Sequence, residues 1–146
     1  MVGGKGLAWT VLSDLGQGDA VVALPQGRPA TEVSDGVRLD YAVSVPRSGP
    51  ARIRLRLSPT LDTSGGKGLR IGVSLDDGPV QVLTSSLVPT AGSASTPEQI
   101  AWVAAVKDHA QTVEALFPAV AAGSHMVKVW RLDDNVVLEK LIVDVR

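Results

Sequence analysis

A chain of 146 residues, 45% apolar and 20% charged, suits one domain with a continuous core and is short for two. Fourteen Lys and Arg against fifteen Asp and Glu leave a net charge of −1, which removes the basic footprint of a protein that grips nucleic acid through its phosphates. The absence of Cys excludes disulfides, thiolate chemistry and Cys-containing zinc sites without choosing a compartment.

No apolar run reaches the roughly 20 residues that a membrane-spanning helix needs, so no membrane partner is expected. The opening Met1-Val-Gly-Gly-Lys-Gly lacks the apolar centre of a secretory signal. Met1 reads as a start residue placed on a piece of a longer polypeptide. Fifteen Gly and nine Pro are spread along the chain as punctuation between short elements.

In chain order, strands are predicted at 7–12, 20–24, 37–45, 53–57, 69–75, 80–83, 127–132 and 136–145. The strongest signals are period-two alternations: apolar odd positions through 37–45, Ile53, Leu55 and Leu57 alternating with Arg, and the same phase through 69–75. Asp76-Asp-Gly-Pro79 has turn chemistry and joins two of these strands as a hairpin. The connections at 58–68 and 85–95 are rich in Gly, Ser and Thr and are predicted to be loops.

One helix interrupts the strands, predicted over 96–117. Thr96 supplies an N-cap hydroxyl, Pro97 the first helical position and Gln99 the return half of a capping box. Ile100, Val103, Val106, Ala110, Val113 and Phe117 recur at steps of three and four, drawing one apolar stripe, and Pro118 marks the end. The fold class expected is therefore mostly β: one antiparallel β-sandwich of jelly-roll type over 1–146, with an amphipathic helix on an edge or across one end.

Gly65-Gly-Lys67-Gly68 has the glycines and the Lys of a phosphate loop in the wrong order, and a strand follows it instead of a helix, so it reads as a flexible connection. His109 and His125 have no partners at metal-ligand spacing. Asp76-Asp77 and Asp133-Asp134 sit in turns, where Asp serves the backbone; structural calcium is the minority use of such pairs and no other cofactor is expected. Arg52, Arg54 and Arg56 put three cations on one strand face, which needs acidic groups opposite, or else forms a contact surface for an acidic polysaccharide or another domain. The chain has five aromatic residues; Tyr41 is in phase with a core face, Phe117 closes the helix stripe and Trp102 is adjacent to it, so these three are expected in the core. Trp130 points away from Val127 and Val129, which makes it the best candidate for a sugar-stacking ring, with burial under the helix or a neighbouring domain as the competing use. No nucleophile and base form a recognisable unit.

The Trp9-to-Gly18 opening, Arg70-Ile-Gly-Val-Ser-Leu-Asp-Asp-Gly-Pro79, Trp102 with Val106, Gly123-Ser-His125, Val127-Lys-Val-Trp130 and residues 133–137 together resemble the C-terminal β-sandwich domain of glycoside hydrolase family 115. Members of that family are xylan α-glucuronidases whose catalytic centre lies in an upstream barrel. The resemblance implies a sandwich like that of carbohydrate-binding modules, inactive alone, packing on the upstream domains of a parent polypeptide and extending its substrate surface or a homodimer contact. It also implies an extracellular or periplasmic setting. The alternative is a carbohydrate-binding module for glucuronoxylan or a related plant polysaccharide. Contacts with sugar or a neighbouring domain are assigned to Trp130, Arg52, Arg54, Arg56 and Lys67.

Overall fold

The computed structural model describes residues 1–16, 18–87 and 96–146. The strands are β1 (Ala8–Leu12), β2 (Ala20–Leu24), β3 (Arg38–Val45), β4 (Gly49–Leu57), β5 (Leu69–Leu75), β6 (Gln81–Ser85), β7 (Gln111–Val120), β8 (Gly123–Arg131) and β9 (Val137–Val145), with helix α1 (Pro97–Lys107) between β6 and β7. They form a five-stranded sheet in the order β1-β2-β9-β4-β7 and a four-stranded sheet in the order β3-β8-β5-β6. All pairings are antiparallel. Among the described strands β1–β2 and β5–β6 are hairpins, and the members of each other consecutive pair lie in opposite sheets. The predicted connection at 85–95 lies outside the described residues from 88 onward.

The alternating strands place the core. Ile53, Leu55 and Leu57 of β4 are 0–2% exposed and meet Leu39, Ile71, Val73, Val127 and Val129 from the facing sheet, which are equally buried. Side chains of opposite phase on the same strands face outward, as a two-residue period requires. Two sheets with one apolar face each can satisfy both only by stacking.

The helix starts as its sequence predicts but ends ten residues early. Thr96 Oγ1 accepts the Gln99 N–H at 3.2 Å, Gln99 Oε1 accepts the Thr96 N–H at 3.0 Å, and Pro97 opens the helix. The chain then leaves α1 through His109, whose φ of 52° is left-handed. Residues 111–120 form β7, paired with β4 from Gly49↔Val120 to Leu57↔Gln111. The predicted span was ambiguous because Val113 and Phe117 fit a helical stripe and, with Ala115 between them, a strand alternation as well. The side of β4 away from β9 was open, and its pairing with β7 decided the matter. Pro118 does not end a helix: it lies in an edge strand beside a register shift, where its missing N–H breaks no ladder.

The predicted apolar stripe also splits. Among the described side chains of α1 Ala105 is buried and Trp102 half-buried, whereas Ile100, Val103 and Val106 are 55%, 51% and 45% exposed. Val113 and Phe117 pack on the core from β7. Truncating Leu55 to Ala is expected to cost about 2–5 kcal/mol in urea unfolding. Val103→Ser should stay within about 0.5 kcal/mol, and comparable losses for the two variants would contradict this packing.

Candidate functional site

The outer face of the five-stranded sheet carries the three arginines. Arg52 Nη1 lies 3.6 Å from Glu114 Oε2 on β7, Arg54 Nη2 donates to Asp144 Oδ2 on β9 at 2.5 Å, and Arg56 Nε donates to Glu139 Oε2 on β9 at 3.2 Å. Like charges two residues apart on one face repel, and acids from both flanking strands offset that repulsion. The face is a ladder of neutralised pairs. Glu139, which sequence reasoning did not single out, is the most enclosed of these acids, its side chain 4% exposed.

Trp130 lies on the outer face of the four-stranded sheet, opposite Gly72 on β5 and Arg38 on β3. Its Nε1–H donates to the buried Ser74 Oγ at 3.0 Å, and the Arg38 guanidinium sits 5.1 Å from the ring centroid, itself held by Asp40 at 2.8 Å. A Cβ at Gly72 would stand 3.0 Å from that of Trp130, so glycine there lets the indole lie flat on β5. The ring is half-buried, with its polar handle engaged and a cation over it.

The loop carrying Lys67 is organised from within. The Asp62 carboxylate accepts the Ser64 N–H at 2.7 Å, the Gly68 N–H at 2.9 Å and the Ser64 hydroxyl. Partial burial opposes ionisation of Asp62, but these donors and the Gly66 N–H outweigh it and hold its pKa below the ordinary value. The amides that a phosphate loop would offer to an anion are thus occupied by the chain's own carboxylate, and exposed Lys67 stands beside them.

The acidic turns are structural clasps. Asp133 takes Arg70 Nε at 3.0 Å and Nη2 at 2.8 Å, together with the Arg70 N–H at 2.8 Å. Asp134 Oδ2 accepts the Gly27 N–H at 2.5 Å, and its other oxygen is 3.4 Å from buried Arg131. Asp76 accepts the Met126 N–H at 2.8 Å and faces His125 Nδ1 at 2.8 Å, while the opposite nitrogen of His125 meets the Ala121 carbonyl at 2.9 Å. Lys128 reaches Asp77 at 2.7 Å. Among the described residues no group of three His, Asp or Glu is placed to hold a metal ion.

The sequence model of the glycosyl hydrolase family 115 C-terminal domain matches residues 2–146. This chain belongs to that family. As a family 115 C-terminal domain it is non-catalytic, and its sandwich is that of carbohydrate-binding modules. Among solved structures it is similar to BtGH115A, a family 115 4-O-methyl-α-glucuronidase with specificity for decorated arabinogalactans, at TM-score 0.70 and 18% identity over 98% of this chain and 16% of that one. The family 35 carbohydrate-binding module from Clostridium thermocellum matches at TM-score 0.57 and 14% identity over 96% and 88% of the two chains. The module CBM6cm-2 from Cellvibrio mixtus lichenase 5A, in complex with cellotriose, matches at 0.50 and 17% over 99% and 90%. No curated protein matches the chain. The family 115 domain thus spans a small fraction of the glucuronidase's length and nearly the full length of the two modules.

Both ring nitrogens of His125 face acceptors, so the protonated imidazole makes two hydrogen bonds and the neutral one can make only one as donor. The Asp76 carboxylate, then the Ala121 carbonyl, raise the His125 pKa above the ordinary 6.5, and the same contact lowers that of Asp76 below 3.8. His125 therefore adds stability that is complete below pH 6.5 and is lost as pH rises through its raised pKa. Asp76 adds stability present above pH 3.8 and lost as pH falls through its lowered one. An NMR titration should place the His125 midpoint above 6.5 and move it back down in Asp76→Asn; a midpoint at or below 6.5 in the parent protein would refute the clasp.

Proposed function

We propose that this family 115 domain is the accessory sandwich of an α-glucuronidase-type enzyme acting on uronic-acid-decorated plant polysaccharide of the xylan type, and that it packs on the other domains of the parent polypeptide through the face led by α1. The observation that carries this reading is the exposure of Ile100, Val103 and Val106 on a helix already anchored by Ala105. An apolar helix face left in water costs free energy that a neighbouring domain relieves. Exposed Leu116 on β7, 58% accessible, adds to the apolar area outside the core.

The second reading, an autonomous module for glucuronoxylan, draws on the likeness to sugar-binding modules. Trp130 argues against it as a stacking platform, since Arg38 covers the ring and Ser74 takes its N–H. The arginine ladder is likewise engaged with Glu114, Asp144 and Glu139, leaving little free cation for a uronate. Among the described residues exposed Lys67 has no acidic partner, and under the packing reading it meets solvent or a neighbouring domain.

In hydrogen exchange, the α1 amides are expected to be more protected in the parent polypeptide than in the isolated domain. Isothermal titration with glucuronoxylan oligosaccharides should be the same for the isolated domain and for Trp130→Ala. Unchanged α1 exchange, with titration heat abolished by Trp130→Ala, would replace this reading with the autonomous module. Protection of α1 that grows with concentration of the isolated domain would assign the face to a homodimer instead.

A further inference from the structure

Where the arginine ladder meets the end of α1, four segments far apart in sequence close around a cavity of 370 Å³, within the range of about 300–1,000 Å³ that small-molecule sites occupy. Glu139 forms its polar floor. The pairing of β4 with β9 steps there from Arg56↔Lys140 to Leu57↔Leu138, leaving Glu139 with no residue opposite. Such an irregularity re-aims a side chain that regular alternation would send elsewhere. Ser58 Oγ donates to one Glu139 oxygen at 2.8 Å and Arg56 Nε to the other at 3.2 Å. Arg56 is held in turn by the Asp108 carbonyl, which accepts from Nη2 at 2.9 Å.

Two left-handed residues close the walls. Gly16, at φ 77°, approaches so near that a Cβ would lie 2.6 Å from the Glu139 carboxyl group, so glycine is what allows the β1–β2 loop to cover the floor. His109, at φ 52°, brings an imidazole to the rim from the end of α1. Leu15 and Pro59 supply apolar lining.

We propose that this cavity is a subsite for a single neutral pyranose unit. A carboxylate beside a guanidinium presents an acceptor and a donor side by side, which matches two adjacent hydroxyls of a sugar ring. Each Glu139 oxygen has a second lone pair, and the guanidinium has N–H groups beyond the two engaged. Leu15 and Pro59 offer the apolar surface that the C–H face of a pyranose requires. The charges select against an acid: Glu139 already offsets Arg56, and Asp108 adds a further negative charge at the rim, so a uronate carboxylate would meet an enclosed carboxylate with no spare cation. The same Arg56 and the Ser58 hydroxyl, both donating to Glu139, make the floor a poor cation site. This inference goes beyond the packing of α1 and stands on different side chains.

The test is a chemical-shift titration of the 146-residue chain with methyl β-xylopyranoside, methyl β-galactopyranoside and, separately, sodium glucuronate. The neutral glycosides are expected to shift the amides of Gly16, Ser58, His109 and Glu139, with glucuronate leaving them in place. His109→Gly keeps the left-handed turn and Leu15→Ala trims a side chain that is 38% exposed and belongs to no core cluster, so both variants should fold; each is expected to weaken binding about fivefold, the worth of one net hydrogen bond or a comparable contact. Glu139→Gln, the same shape without the charge, should weaken it further. No shift with either neutral glycoside up to its solubility limit, equal shifts with glucuronate, or binding indifferent to all three variants would each overturn the proposal. Exchange protection at α1 is read separately, so failure here leaves the packing result standing, and the reverse holds too.

Discussion

The structure hangs on β4. It is laddered on both sides, paired with β9 and with β7 over nearly its whole length. Its inward residues Ile53, Leu55 and Leu57 are among the most buried in the molecule. A slip of one residue would exchange these with Arg52, Arg54 and Arg56, burying three guanidinium groups and exposing the centre of the core. The register of the five-stranded sheet is therefore fixed by opposite demands of the two faces of one strand. The acids on β7 and β9 are then positioned by that register, because each must fall within reach of an arginine whose place is already set.

This dependence explains what was legible in the sequence. The strands at 20–24 and 69–75 were read to the residue, the first as a short apolar run ending at Pro25 and the second because alternation and turn chemistry agree there. The extent of the helix was not, because positions 110–117 satisfy two periods at once and a local window holds no information about the open side of β4. Its capping box was unmistakable, being complete within four residues. The acidic turn pairs were read as structural from Asp chemistry alone, though nothing local indicated that Asp133 would grip Arg70 across 63 positions. The Glu139 pocket was invisible for the same reason: residues 16, 56–58, 108–109 and 139 become neighbours only after both sheets have formed, and the irregularity that re-aims Glu139 follows from how β9 fits β4.

Belonging to the family 115 C-terminal domain and sharing the sandwich of sugar-binding modules are compatible statements about one fold, but the two roles place different demands on a surface. A stacking platform needs open aromatic faces, and this chain, with five aromatic residues, spends its rings on internal contacts. Trp9 donates its Nε1–H to the Val2 carbonyl at 3.1 Å, tying the first residues to the sheet, and Trp130 is engaged with Ser74 and Arg38. On α1 the exposed apolar side chains, Ile100, Val103 and Val106, are aliphatic. Aliphatic surface buries well against another protein and offers a sugar neither stacking nor hydrogen bonds.

Electrostatics point the same way. The net charge is −1, and the arginine stripe, the one concentration of positive side chains in the sequence, is offset residue by residue by its neighbours. A polymer carrying uronic acids is a line of negative charge, and a domain that recruited it would need uncompensated cations to overcome both desolvation and general repulsion. Local neutralisation leaves a surface of fixed, paired donors and acceptors instead, which discriminates by hydrogen-bond geometry and exerts little long-range pull. On the proposed reading, recognition of the acidic side chain would belong to other domains of the parent, and this sandwich would meet its surroundings through the apolar face of α1 and bind neutral groups in the pocket at Glu139.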